Sequence, residues 1–401
     1  MRILQLCHKP PLPAADGGCM AMQSITEGLL DAGHEVKILT LHTGKHPFLP
    51  DQIPDAFKSA TGIEAIFADT EIKPLKLMLQ LFGSGSYNLR RFDVPAFHAR
   101  LAELLQTQTF DVIHLESLFT APYISTIRNY SKAPVVLRAH NAEYQLWQRR
   151  AANCKSPLKR AVLNRIAAQL KHDERKALEA VDGIAAISEE DAATLSQLSE
   201  NRTPAAYIPF ALKLPEQQGH VHQLPFTLAH IGAMDWAPTA EGARWLCDEV
   251  WPLIYAAQPE AKLLLAGRKL RENDAHWEAP GIQVLGEVDD AQRFMRQAAV
   301  VAVPPRSGGG VRIKLAEALA LGCATVSTTL GAEGINCKEG EHLLIADDAH
   351  AFANAVLRLF SHPETAARLG ENAKLHAAEH LNQALATKKL SDFYSLIAAA
   401  K

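Results

Sequence analysis

Three consecutive glycines followed by two cations and a carboxylate make the segment Arg306–Gly322 (RSGGGVRIKLAEALALG) the strongest chemical signal in the chain. Gly308, Gly309 and Gly310 let a backbone approach a ligand without a Cβ in the way. The helix that follows offers unpaired amides and the positive end of its dipole. Arg312 and Lys314 stand in its first turn, where cations are disfavoured unless an anion compensates them. A diphosphate would be such an anion. Glu317 lies on the same side as Lys314, placed to accept hydrogen bonds from two ribose hydroxyls. A Gly-rich turn followed by a solvated Lys–Glu pair is the bland alternative.

Other polar groups sit where strands should end. Gly17 and Gly18 follow the first strand and precede a helix, a place for close approach to phosphate or sugar. Asp16 beside them is a candidate base for an acceptor hydroxyl, or plain turn chemistry. His140 closes the strand VVLRAH. Its neutral ring can donate to a hydroxyl or a carbonyl, and its charged ring can offset a leaving group. Asn141 and Glu143 follow, with Glu143 either orienting the acceptor or His140, or capping the next helix. Arg268 is a further candidate for an anion, or a surface residue.

Absences narrow the chemistry. The chain has no D-x-D, no G-x-x-x-x-G-K-[ST], no G-x-G-x-x-G after the first strand, no H-E-x-x-H and no C-x-x-C. These disfavour a metal-bridged diphosphate site, a P-loop nucleotidase, a nicotinamide oxidoreductase and a zinc site. The expectation is therefore a site without metal or cofactor. Charge on a leaving diphosphate would be met by the helix N-terminus, Arg312 and Lys314.

The elements that position these groups alternate. Apolar runs at Ile3–Cys7, Val36–Leu41, Ile63–Ala68, Val112–Glu116, Val135–Ala139, Ile184–Ser188 and Ala206–Pro209 read as strands. Helical segments such as Ala21–Ala32, Pro95–Gln106 and Leu158–Ala180 lie between them. The segment Leu212–Pro225 reads as a linker. Alternation then restarts with Thr227–Ile231, Lys262–Ala266, Gln283–Leu285, Val300–Val303, Thr325–Ser327 and Leu343–Ile345. Such alternation predicts parallel sheets with crossover helices. We expect an α/β protein of two Rossmann-like domains, residues 1–212 and 213–384, facing each other across a cleft. The stretch Pro363–Lys401 reads as helical, with residues 385–401 returning to the first domain.

A chain of 401 residues with 48% hydrophobic and 21% charged residues is an ordinary globular composition, large enough for two cores. A net charge of -3 argues against nucleic acid as partner. Six scattered cysteines read as free thiols in a reducing compartment. The N-terminus does not read as a signal peptide, and no apolar stretch is long enough to span a membrane. The expected location is the cytoplasm, with peripheral attachment to the inner face of the membrane as the variant. Gln148–Lys176 carries nine Lys or Arg against two acids, with Leu158, Val162, Ile166 and Leu170 at helical spacing. It is either a membrane-surface helix or a crossover helix packed on a sheet.

The run GGGVRIKLAEALALGCATVST resembles the donor-binding helix of glycosyltransferase family 4, whose two-domain fold is called GT-B. IGAMDWAPTAEGARWL, LAGR, VLGEVDD and LGAEGI agree in order, as do DGG, RAHNAEY and AISEED in the first half. The resemblance implies a retaining transferase that moves a sugar from a nucleoside diphosphate onto a hydroxyl acceptor. A lipid-linked or growing glycan of the cell envelope is the expected acceptor. The nucleotide would sit on the second domain and the acceptor mainly on the first, with front-side displacement. Glu317 matches the second glutamate of the family's E-x7-E pattern; the first falls on Gly309 and is missing. The family's Arg and Lys after the first strand of the second domain are also missing, since that loop reads GAMDWAP. His140 matches a histidine that contacts donor sugar or phosphate. A nucleotide-sugar epimerase or hydrolase of the same fold, and a non-catalytic nucleotide-sugar-binding protein, stay open as alternatives.

Overall fold

The computed structural model describes residues 1–14, 16–81, 83, 85–210, 212–213, 221–270, 277 and 279–400. Residues 214–220 of the expected linker lie outside them. The chain forms two compact units, Met1–Ala211 with Gln383–Lys401, and Leu212–Asn382.

All thirteen expected strands are present. In the first unit they are β1 (Arg2–Cys7), β2 (Glu35–His42), β3 (Glu64–Phe67), β4 (Val112–Glu116), β5 (Val135–Ala139), β6 (Gly183–Ala186) and β7 (Ala205–Tyr207). They form one parallel sheet in the order β3-β2-β1-β4-β5-β6-β7. In the second unit β8 (Leu224–Ile231), β9 (Lys262–Ala266), β10 (Ile282–Gly286), β11 (Ala298–Val303), β12 (Thr325–Ser327) and β13 (Leu344–Ile345) form a second parallel sheet, β10-β9-β8-β11-β12-β13. Each sheet reverses its strand order beside its first strand. Ligands of open α/β sheets bind beyond the strand carboxyl ends at such a reversal. The architecture is the GT-B pair of Rossmann-like folds.

The strands are apolar because both sheet faces are covered. In the first unit, Leu4, Leu6, Ile113, Leu115 and Leu137 pack on one face, with Leu101, Ile127 and Leu178. Ile3, Cys7, Val112 and Val136 point to the other, against Met22 and Ile25 of the helix Gly17–Asp31 and Leu390, Phe393 and Tyr394 of the helix Gln383–Ala399. This alternation puts Gln5, His114, Glu116 and Arg138 on that second face as well. All four are buried. The helical C-terminal stretch divides at Leu381–Asn382, and its last helix, Gln383–Ala399, is part of the first unit.

The basic segment proves to be a packed crossover. Ile166 and Leu170 of the helix Pro157–Ala180 are buried, so half of its apolar stripe is not available to a membrane. Only Leu158 at its start is well exposed.

Candidate functional site

In the first unit the ends of β1, β4 and β5 converge on one carboxylate. Glu116, the last residue of β4, is fully buried. Its Oε1 accepts from Gln5 Nε2 at 3.1 Å and lies 3.0 Å from His114 Nε2. Its Oε2 lies 2.8 Å from His140 Nε2 and 3.4 Å from the Arg138 guanidinium. Burial alone would raise the pKa of this carboxyl; Arg138, His114 and His140 outweigh it and hold the group well below the usual range. Tyr394 of the last helix continues the chain to His114 Nδ1.

That geometry fixes His140. Glu116 is ionised, so the His140 nitrogen facing it carries the proton, and Nδ1 carries the lone pair. Burial lowers the pKa of this ring despite the Glu116 contact. The neutral ring therefore spends its only N–H on Glu116. The expected donation from a neutral His140 to a ligand is corrected: what it offers is an acceptor. His8, which follows β1, packs beside it with ring centres 6.4 Å apart. Burial, then Lys9 and His140, keep His8 neutral, and its Nδ1 contacts Ser117 Oγ at 3.0 Å.

Asp16 is the N-cap of the helix Gly17–Asp31, accepting from the Cys19 amide at 3.0 Å. Lys9 Nζ lies 2.7 Å from both of its oxygens and His46 Nε2 lies 2.9 Å from one. Burial opposes ionisation, yet His46 and Lys9 hold the carboxyl far below its usual range. So weak a proton acceptor is a poor base, and the geometry replaces the expected base with a cap and a Lys9 anchor. Gly18 makes room for that anchor: a Cβ there would stand 2.8 Å from Lys9 Nζ.

Glu143 opens the helix Glu143–Ala152 but does not cap it. Glu174 does, its two oxygens accepting from the Glu143 and Tyr144 amides at 3.0 Å each. Asp191 accepts from the Ala142 amide. Burial pushes Glu143 up to about 7, with Asn141 opposing through a hydrogen bond and Asp191 adding to the rise. Burial, then Glu143, pushes Glu174 up to about 8.

The second unit holds the glycine loop between β11 and the helix Ile313–Ala320. Gly308 and Gly310 have φ of +88° and +82°, a region that disfavours side chains. Gly309 does not share it. Arg312 is the residue before the helix, which has no side-chain cap at that end. Its guanidinium folds back over the loop, donating to Gly309 O at 3.2 Å and Ser307 O at 3.1 Å. Lys314 Nζ donates to Glu317 Oε2 at 2.7 Å. Glu317 is buried while Lys314 is one third exposed.

Arg268, after β9, also belongs to this cluster. It pairs with both oxygens of Asp235 at 3.0 and 3.1 Å, in the loop after β8. The helix Ala237–Trp245 that follows this loop approaches the glycines, since a Cβ on Gly308 would meet Pro238 at 3.0 Å. Arg268 is thus paired with a carboxylate in this structure. Glu241, missed in the sequence, anchors the loop by accepting from Ser307 Oγ.

The first half of the chain matches the glycosyl transferase 4-like domain over residues 17–211, and the second matches glycosyl transferases group 1 over residues 225–362. Together these cover most of the molecule. The chain belongs to the glycosyltransferases. A phosphatidyl-myo-inositol mannosyltransferase of Mycolicibacterium smegmatis is 27% identical over 89% of this chain and 84% of its own length. Among solved structures, a sucrose-phosphate synthase of Thermosynechococcus elongatus superposes with a TM-score of 0.72 at 18% identity, over the whole of both chains. Anabaena HepE in complex with UDP-glucose gives 0.62 at 14% identity, over 99% of this chain and all of the other. In this glycosyltransferase, Glu116, His8, Lys9, His114, Glu174 and Tyr394 are hydrogen-bonded or packed against the candidate residues or their partners.

Proposed function

We propose that this glycosyltransferase moves a sugar, with retention, from a nucleoside diphosphate to the hydroxyl of a lipid-linked or growing cell-envelope glycan. One observation carries the reading: an uncapped helix start, preceded by the glycine loop, is flanked by the cation Arg312 and the pair Lys314–Glu317. An uncapped N-terminus attracts anions through free amides and roughly half a unit of positive charge. Glu317 keeps Oε1 for ribose hydroxyls while Oε2 holds Lys314. Arg312 and Lys314 would meet the charge that grows on the leaving diphosphate, so we assign no metal to the transfer step. The HepE likeness to a UDP-glucose complex supports a nucleotide-sugar donor.

The first unit would take the acceptor. His140 is held by Glu116 to present Nδ1 as an acceptor to a sugar hydroxyl, and Glu143, near 7, can exchange a proton at neutral pH. In front-side displacement the leaving phosphate removes the acceptor proton, and these groups orient the sugars. A thermal-shift screen against UDP-, GDP-, ADP- and TDP-sugars tests the donor, because a ligand that binds only the folded state raises the midpoint. A midpoint unmoved by all four removes the assignment.

Attachment to an anionic membrane face fits a lipid-linked acceptor, and the mannosyltransferase relative is named for a phosphatidylinositol. No described helix is long and apolar enough to cross a membrane. The surface that suits attachment is not the expected one. Ile72, Leu75, Met78 and Leu79, on and beside the helix Pro74–Leu81, are exposed among Lys73 and Lys76. Cosedimentation with phosphatidylglycerol vesicles, lost in Leu75→Asp/Leu79→Asp, would support it; equal cosedimentation of the variant would contradict it.

A further inference from the structure

The second unit carries a group of soft ligands that sugar transfer does not use. Cys337 and His342 lie in the segment before β13, and His376 lies on the helix Pro363–His380. One sulfur or ring nitrogen from each lies within 4.8 Å of the others. Each histidine is only 7% exposed, and their rings stack with centres 4.3 Å apart. His376 Nε2 is buried with no hydrogen-bond partner among the described residues. A buried polar atom left that way calls for a partner. His342 is oriented from both sides: Nδ1 accepts from the Lys338 amide at 3.1 Å, and Nε2 lies 3.5 Å from the Glu341 carboxylate. A metal at Nδ1 would replace the Lys338 hydrogen bond and leave the Nε2–H to the Glu341 carboxylate, the usual setting of a metal-binding histidine.

We propose that Cys337, His342 and His376 form a zinc site, with His380 or a water as the fourth ligand. The His380 ring lies 4.6 Å from that of His376, one helical turn on. Thiolate and imidazole at C-x4-H and H-x3-H spacing favour a borderline-soft cation over magnesium or calcium. Zinc bonds of about 2.0–2.3 Å imply ligand separations of roughly 3.5 Å. The ligand atoms lie within 4.8 Å of one another, so binding requires them to draw together by about 1 Å. On binding, the Cys337 thiol gives its proton to solvent and the sulfur bonds the metal. The ion would tie residues 337–342 to the helix Pro363–His380, which packs against the donor-site helix Ile313–Ala320.

The full chain, stripped with EDTA and exchanged into chelator-free buffer, is titrated with Zn²⁺ against a chromophoric chelator, and separately with Co²⁺. One equivalent should bind, Co²⁺ should give a thiolate charge-transfer band, and zinc should raise the thermal midpoint. Cys337→Ser should abolish the band, and His376→Asn should weaken zinc at least tenfold, about the scale of losing a second-shell partner. Circular dichroism of each metal-free variant checks folding, and either variant alone suffices. Absence of zinc binding to the wild type, or unchanged affinity in a folded variant, overturns the proposal.

Discussion

The two units share one strand order and place their polar groups at the same strand ends, yet they handle charge in opposite ways. In the first, a carboxylate with no solvent exposure is held among Gln5, His114, Arg138 and His140. Such a network fixes one ring in one tautomer and leaves little free charge. In the second, the cations sit on a loop and a helix start, Lys314 a third exposed, and their partners are backbone carbonyls and one carboxylate. That arrangement suits an incoming anion. The difference teaches that one fold supplies positioning where charges are buried and paired, and binding where an uncapped helix end stays open.

Substitutions can break this contrast. The largest effect should come from Glu116→Ala, which leaves Arg138 buried without its anion and costs about 3–5 kcal/mol in urea unfolding. A loss under about 1 kcal/mol would show that the network is not an electrostatic unit. His140→Ala should lower kcat by roughly tenfold, the scale of one lost hydrogen bond, while nucleotide affinity stays at the wild-type level; an equal fall in affinity would merge the two sites into one.

Acidity separates the units next. Glu143 and Glu174 have folded pKa values near 7 and 8, above their ordinary value near 4.5. Between about pH 4.5 and 8 the folded state therefore binds more protons than the unfolded one, and stability falls as pH rises through that window. Glu174→Gln should flatten the slope of unfolding free energy against pH, and an unchanged slope would place the effect elsewhere. The smallest effect sharpens the loop: Gly310→Ala should cost about 1 kcal/mol because of its positive φ, and Gly309→Ala far less. Equal midpoints for the two alanine variants would contradict that distinction.

Much of the architecture was legible because buried parallel strands write themselves as short apolar runs. Even β13, two residues long, stands out that way. The glycine loop was legible too, as a turn of three glycines leading into a helix with two cations at its start. The Glu116 network was not. Its residues lie far apart in sequence, in β1, β4, β5 and the last helix, and sheet register together with the packing of that helix joins them. A signal was there: in VIHLE and VVLRA, His114, Glu116 and Arg138 interrupt apolar strands at two-residue spacing, which puts them on one buried face. The partners of Asp16 were hidden for a related reason. Its partners Lys9 and His46 come from the loops after β1 and β2, and only folding turns a free carboxylate into a neutralised cap.

The central claim is that the glycine loop and the helix start at Ile313 grip a nucleoside diphosphate. Calorimetry of UDP, GDP, ADP and TDP against the wild type, Lys314→Ala, Glu317→Ala and His140→Ala addresses it directly. One nucleotide should bind the wild type and His140→Ala alike, and bind Lys314→Ala and Glu317→Ala roughly ten- to a hundredfold more weakly, the scale of a lost charge-assisted hydrogen bond. Wild-type affinity in both Lys314→Ala and Glu317→Ala would contradict the account.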